Sequence, residues 1–329
     1  MRLRWCAAFV LAAAATRGEA PPPESIALPG GPPVGMDYLA YDPATGLLFV
    51  PASNTGKVDV IDTRSGKLRS IDGWPTVKKG ERIAGVTAAA VGGGYLYVGN
   101  RADSTICAVE IATLARKGCV TLSSTPDGVF YVGSTKEVWV TTPVEKSLHI
   151  FDLSRPAAPV AGGKIVLDGQ PEGYAVDEQR GTVFTNLEDK DKTLVIDART
   201  RKVTATWEPA CGEKGPRGIA IDPAARHLFV ACATEGLREF DSTGKIVARL
   251  ATGAGVDNID WLQSKQLVYV ASAQDGKLTR VHVGADGALE ATSTAPTVIG
   301  GRTVIVDGSG TAYIPDSKAG RLVVVKASR

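Results

Sequence analysis

Histidine is scarce in this chain: His149, His227 and His282 are the only three among its 329 residues. None of them belongs to a His-Cys-Asp cluster with the spacing of a zinc site. The sequence also lacks a Gly-x-Ser-x-Gly nucleophile motif, a Gly-rich phosphate loop after a strand and a Cys-x-x-Cys pair. These absences argue against the commoner histidine, thiol and nucleotide chemistries. Whether the protein is an enzyme stays open, because no catalytic motif is present.

The chain also has no excess of charge of either sign, with 37 basic and 35 acidic residues. Removal of the first twenty residues, which include Arg2, Arg4, Arg17 and Glu19, leaves 34 of each sign. A neutral chain carries no general electrostatic footprint for nucleic acid or for an anionic membrane.

Long apolar runs are confined to the N-terminus. Arg2 and Arg4 precede an apolar run from Trp5 to Ala15, and small residues follow. This pattern predicts a secretory signal peptide over residues 1–20, with cleavage after Ala20 or Ala15. The run is too short to cross a bilayer, and no later segment is long and apolar enough. A stray apolar N-terminus of a cytoplasmic protein is the alternative. We expect a periplasmic or secreted protein, monomeric, with one domain over residues 21–329.

The remaining chain is organised by a short strand that recurs seven times. Each copy has an apolar residue, an aromatic residue and a β-branched residue in succession, and the copies recur at intervals of 40–48 residues. The aromatic residues are Phe49, Tyr97, Trp139, Phe184, Phe229, Tyr269 and Tyr313. Short strands and turns at this period predict a seven-bladed β-propeller of four-stranded antiparallel blades.

The last blade is one strand short. Strands are predicted near residues 303–306, 311–315 and 321–326, after which the chain stops. Ser25 to Leu28 forms a strand with no partner nearby in sequence. We predict that it supplies the fourth strand of the last blade and closes the ring, because an open edge would otherwise remain. A free N-terminal tail is the alternative.

The repeats resemble the YVTN-type β-propeller family. Leu96-Tyr97-Val98-Gly99-Asn100 is similar to its namesake strand, and residues 171–177 and 216–222 match its Pro-x-Gly-apolar-Ala-apolar-Asp motif. The resemblance covers nearly the whole mature chain and implies a propeller fold. It says little about function, because such propellers share scaffold residues more than sites.

Four cysteines remain after removal of the signal peptide. Cys107 and Cys119 lie in the third and fourth strands of one blade, while Cys211 and Cys232 lie on either side of a blade boundary. In an oxidising compartment an even number of cysteines favours pairing. We predict the pairs Cys107–Cys119 and Cys211–Cys232; four free thiols are the alternative.

Charged residues precede the first strands of most blades, at one register. Loops at this register converge on the central channel, so we predict a ligand-binding rim of carboxylates and guanidiniums. Its residues are Asp37, Arg82, Asp127, Glu172, Arg217, Asp257, Asn258 and Arg302. The alternative is that these charges only pair with each other or face solvent.

A second polar group follows the second strands on the same face. It comprises Asn54, Asn100, Arg101, Asp103, Asn186, Glu188 and Asp316. We interpret Asn100 and Asn186 as turn residues whose side chains bond their own backbone. On the opposite face Asp42, Asp177, Asp222 and Asp307 each open a tight turn, which predicts a scaffold role.

The function that fits these features is an exported binding scaffold for a small polar ligand, a peptide or a partner protein, without a cofactor. The alternative is a metal-assisted lactonase, because propellers of the gluconolactonase type are similar in shape and use a carboxylate-and-Asn metal site. Its ligands here would be Asp127, Glu172, Asp257 and Asn258, a set of oxygen donors suited to Ca²⁺ or another divalent cation. Arg217 and Arg302 disfavour a cation there, and that family has six blades.

Overall fold

The computed structural model describes residues 23–285 and 287–327. The predicted signal peptide, residues 1–20, lies outside them. No helix in the described part has the length and apolar character needed to span a bilayer.

The described residues form thirty β-strands and four short 3₁₀ helices. The strands are β1 (Glu24–Ala27), β2 (Ala40–Asp42), β3 (Leu47–Ala52), β4 (Lys57–Asp62), β5 (Leu68–Ile71), β6 (Val77–Lys79), β7 (Arg82–Ala84), β8 (Val86–Gly92), β9 (Tyr95–Asn100), β10 (Thr105–Glu110), β11 (Ala115–Thr121), β12 (Val129–Val132), β13 (Glu137–Thr142), β14 (Ser147–Asp152), β15 (Val160–Val166), β16 (Pro171–Asp177), β17 (Thr182–Leu187), β18 (Lys192–Asp197), β19 (Lys202–Trp207), β20 (Pro216–Asp222), β21 (His227–Cys232), β22 (Gly236–Phe240), β23 (Ile246–Leu250), β24 (Ile259–Leu262), β25 (Leu267–Ser272), β26 (Lys277–Val283), β27 (Leu289–Pro296), β28 (Ile305–Val306), β29 (Ala312–Asp316) and β30 (Arg321–Val325). The 3₁₀ helices are Ser53–Thr55, Pro143–Glu145, Gly212–Lys214 and Gln263–Lys265.

Seven four-stranded antiparallel sheets surround one axis, as predicted. Blades 1 to 6 are β2–β5, β8–β11, β12–β15, β16–β19, β20–β23 and β24–β27, and blade 7 combines β28, β29 and β30 with β1. The first strand of each blade lines the central channel. We call the face on which these inner strands begin the upper face. Strands β6 and β7 form a separate hairpin between blades 1 and 2, which the sequence pattern did not predict.

The seven periodic aromatic residues all lie in second strands and are at most 7% exposed. Each packs in a cluster that joins two blades: Phe49 meets residues of blade 2, and Phe184 meets Ile219 and Leu228 of blade 5. A single sheet cannot bury both of its faces, so each blade depends on its neighbours for its core.

The two ends of the chain close the ring. Strand β1 pairs antiparallel with β30, with Glu24 opposite Val324 and Ala27 opposite Arg321. Leu28 is buried and Ile26 packs against the same cluster, at the boundary between blades 7 and 1. The predicted closing strand is therefore confirmed, one residue earlier than expected.

The lower-face aspartates have the predicted scaffold role. The carboxylate of Asp42 accepts the amide of Ala44 at 3.1 Å, and that of Asp222 accepts the amide of Ala224 at 2.9 Å. Asp177 and Asp307 accept turn amides in the same way. The side chains thus satisfy backbone donors where the inner strand turns into the second strand.

Both predicted disulfides are present. Cys107 and Cys119 are directly opposite in β10 and β11, with Cα atoms 4.0 Å apart. Cys211 follows β19 of blade 4 and bonds Cys232 at the end of β21 in blade 5, with Cα atoms 5.1 Å apart. One bridge lies within a blade, and the other joins two blades. Two disulfides are typical of an oxidising compartment.

Removal of the closing strand should destabilise the ring. We compare a chain that begins at Pro29 with one that begins at Glu24, which keeps β1. The shorter chain loses the burial of Ile26 and Leu28 and should unfold about 2–4 kcal/mol more easily in urea. Equal unfolding midpoints for the two chains would show that β1 does not close the ring.

Peptide mapping without reduction should recover Cys107 joined to Cys119 and Cys211 joined to Cys232, with no free thiol at these positions. A Cys211→Ser, Cys232→Ser double variant opens a loop with a sequence separation of 21 and should lose about 3 kcal/mol of stability on the loop-entropy model. Any other connectivity, or free thiols in the unfolded, unreduced protein, would contradict the assignment.

Candidate functional site

A chain of alternating charges crosses the upper mouth of the channel. Asp37 lies between two guanidiniums, at 2.9 Å from Arg101 Nη2 and 3.3 Å from Arg302 Nη2. Arg101 also pairs with Asp127, and Arg302 Nε lies 3.0 Å from Asp257 Oδ2. We call these five residues the charge chain. It joins residues of blades 3, 2, 1, 7 and 6, so residues far apart in sequence meet at one point.

Glu172 adds a fourth carboxylate beside the charge chain. The hydroxyl of Tyr38 donates to Glu172 Oε1 at 2.7 Å, and the amide of Gly173 donates to the same hydroxyl at 3.4 Å. Gly173 has a positive φ of 65°, and a Cβ there would lie 2.1 Å from the carbonyl oxygen of Arg217. The glycine of the Pro-x-Gly motif thus allows the backbone of blade 5 to come close to that of blade 4. Its positive φ also turns Glu172 towards the axis.

Burial makes three of these carboxylates, Glu172, Asp257 and Asp127, hold their protons more tightly. The pKa of Glu172 is raised well above its usual value by burial first, and then by Asp127 and Asp257. Burial raises the pKa of Asp257 to about 6, although Arg302 opposes this shift. Burial also raises the pKa of Asp127, against the effect of Arg101. The site therefore retains protons at pH values at which free carboxylates have lost them.

An aromatic layer lies beneath the carboxylates. The Tyr38 ring stacks on Tyr174 with ring centroids 5.5 Å apart, and Tyr174 stacks on Phe130 at 4.4 Å. Below this layer a cavity of about 310 Å³, the lower cavity, is lined by Tyr174, Asn258 and Asp260 among others. This lower cavity shares no lining residue with a second cavity, which lies above the charge chain.

The cavity above the charge chain, the upper cavity, has a volume of about 750 Å³. Its floor includes Asp37, Arg101 and Arg302, and the β6–β7 hairpin forms one wall. Five cationic side chains line it, against the two carboxylates Asp37 and Glu81. These cations are Lys79, Arg82, Arg101, Arg302 and Lys318.

The structure brings together most of the predicted rim. Asp37, Asp127, Asp257 and Arg302 belong to the charge chain, and Glu172 lies beside it. The other three predicted residues, Arg82, Arg217 and Asn258, do not join this group directly.

Arg217 pairs with Glu188, although its charge still lowers the pKa of Asp257. Asn258 lines the lower cavity, and its backbone amide donates to the carbonyl of Arg302 at 3.3 Å. Arg82 lies on the hairpin and lines the upper cavity. Among the described residues, no group of three or more His, Cys, Asp or Glu side chains is placed to hold a metal ion.

Sequence reasoning did not assign Arg101 to the site. At the rim register blade 2 has Gly85, where a Cβ would lie 1.9 Å from the carbonyl oxygen of Ser53. The amide of Arg101 donates to the carbonyl of Gly85 at 2.8 Å. Arg101 therefore supplies the charge that blade 2 cannot carry at its own rim position. The sequence feature that could have identified Arg101 was its position directly after the second strand of its blade, which Glu188 occupies in blade 4.

Glu172→Gln should make the protein more stable at neutral pH. Because the pKa of folded Glu172 exceeds its unfolded value, folding takes up a proton, and wild-type stability falls as pH rises between the two values. The variant removes this cost, and we expect a gain of at least about 1 kcal/mol at pH 7.5. The difference should shrink towards zero near pH 4, where Glu172 is protonated in both states.

Urea unfolding at the two pH values measures this effect. Glu290→Gln, in the exposed outer strand of blade 6, is the matched control and should change stability by less than about 0.5 kcal/mol. A Glu172→Gln variant that is less stable than wild type at pH 7.5 but equal to it near pH 4 would show instead that an ionised Glu172 stabilises the site.

No family model matches the chain, and no curated protein matches its sequence. Solved structures are similar to it. A chain in a crystal structure of a mitotic checkpoint complex has 13% identity and a TM-score of 0.77, with 100% of this chain and 98% of that chain covered. Hydrazine synthase from Kuenenia stuttgartiensis has 14% identity and a TM-score of 0.72, with 91% and 97% covered.

The β-propeller domain of Myceliophteria thermophila Cps50 (Swd1) has 11% identity and a TM-score of 0.72, with 93% of this chain and 98% of that chain covered. At these identities the similarity shows the β-propeller fold alone. The YVTN-type resemblance stays an interpretation of the sequence motifs.

Proposed function

We propose that this protein is an exported binding scaffold whose upper mouth holds a small ligand with a negatively charged group. The observation that carries the proposal is the position of Arg101 and Arg302, which both pair with Asp37 and both line the upper cavity. Each guanidinium is held by two carboxylates, which restricts its orientation at the cavity. Such an arrangement favours a carboxylate or phosphate.

The size of the upper cavity supports a small ligand. Its volume of about 750 Å³ falls within the roughly 300–1,000 Å³ of typical small-molecule sites. The two disulfides support export, since such bonds persist outside the reducing cytosol. A periplasmic or secreted location and the signal peptide are part of this proposal.

The lactonase alternative has no observation of its own in its favour. Two of its four candidate ligands, Asp127 and Asp257, pair with arginines, and Asn258 lines the lower cavity. Ca²⁺ is therefore included below as a probe. If it raises the melting temperature of the wild type and Glu172→Gln abolishes that rise, the metal alternative replaces this proposal.

Isothermal titration with acetate, inorganic phosphate, glutamate, spermidine and CaCl₂ tests the charge class of the ligand. We expect at least one anion to bind and spermidine not to. Arg302→Ala should weaken anion binding roughly ten-fold or more, which corresponds to loss of a charged hydrogen bond of about 1.5–3 kcal/mol. Arg302→Lys keeps the charge but loses the planar guanidinium, so it should give a smaller loss of binding. It replaces Arg302→Ala in the test if that variant does not fold.

Arg64→Ala is the matched control, because Arg64 lies in an exposed turn of blade 1 on the lower face. It should leave binding unchanged. The proposal fails if no probe binds, or if the Arg302 and Arg64 variants bind every probe as the wild type does.

A further inference from the structure

The β6–β7 hairpin is an addition to the blade pattern at the edge of the upper cavity. It occupies the connection between blades 1 and 2 and contributes Lys79, Glu81, Arg82, Ile83 and Ala84 to the cavity wall. In the part of the chain that the structure describes, no other blade connection contains an extra pair of strands. The hairpin therefore distinguishes this mouth from the repeated scaffold.

The cations on the wall differ from those on the floor in their pairing. Arg101 and Arg302 each contact two carboxylates of the charge chain, which offsets their charge. Within residues 23–285 and 287–327, Arg82 and Lys318 have no acidic partner, and Lys79 donates to the carbonyl of Arg101 at 3.3 Å. The wall, with Lys79, Arg82 and Lys318 against Glu81, thus has a net positive charge, which an anion would meet before it reaches the floor.

The same cavity has an apolar side and an unused hydroxyl. Pro33, which is exposed, lines it together with the largely buried Met36, and Ile83, which is 44% exposed, lines it from the hairpin. Thr87 is 6% exposed, and its Oγ1 has no hydrogen-bond partner. A buried hydroxyl without a partner costs free energy unless a bound molecule satisfies it.

We propose that the upper cavity takes an organic anion, with its carboxylate or phosphate between Arg82, Lys318 and the floor guanidiniums and its apolar body against Pro33 and Ile83. This inference rests on the proposed function and narrows it from any anion to an amphipathic one. Inorganic ions and short acids leave the apolar wall in contact with water. Burying that wall favours the longer ligand by the hydrophobic effect.

Hexanoate, acetate, inorganic phosphate and hexylamine, each titrated into the purified protein, separate the two contributions. We expect hexanoate to bind at least ten-fold more tightly than acetate or phosphate, and hexylamine not to bind. Arg82→Ala and Ile83→Ser should each weaken hexanoate binding roughly five- to ten-fold. Ile83→Ser should leave acetate binding unchanged, because acetate has no apolar body to bury.

Two variants serve as controls. Val203→Ser removes a side chain that is also 44% exposed but lies in the outer strand of blade 4, and Arg64→Ala removes a lower-face cation. Neither should change hexanoate binding. If acetate or phosphate binds as tightly as hexanoate and Ile83→Ser has no effect, this inference is wrong while the binding scaffold stands. If no anion binds, both are wrong.

Discussion

Pairing between the first and last strands of the described chain is the constraint on which the rest of this structure depends. No blade can bury both faces of its sheet alone, and each of the periodic aromatic residues fills a space that the next blade completes. The pairing of Glu24–Ala27 with Arg321–Val325 turns an array of seven such dependencies into a ring without terminal blades. The geometry of the upper mouth follows, because the loops meet at one point only if the ring is closed.

Repetition explains how much could be predicted from the sequence. The blade count, the register of the rim, the closing strand and both disulfides follow from a unit that returns at a regular interval, so each copy checks the others. Features that do not repeat were not predicted from the sequence. The hairpin at Val77–Ala84 is an insertion that no other blade supports, and the role of Arg101 depends on the close approach of Gly85 to Ser53. Side-chain pairing was also out of reach, since a register shows which residues meet but not which rotamers they adopt.

The rim prediction had two alternatives, ligand binding or mutual pairing of the charges, and the structure shows how they can coexist. Asp37 pairs with Arg101 and Arg302, and the same pairing fixes the orientation of both guanidiniums towards the upper cavity. Mutual neutralisation keeps several buried charges tolerable, and burial raises the pKa values of Asp127, Glu172 and Asp257. The ionic contacts therefore support the site instead of competing with it.

The aromatic layer formed by Tyr38, Tyr174 and Phe130 lies between the carboxylates of the upper mouth and the lower cavity. The upper and lower cavities share no lining residue. Each cavity can therefore change independently: substitutions around the upper opening, including those in the hairpin, leave the walls of the lower cavity as they are.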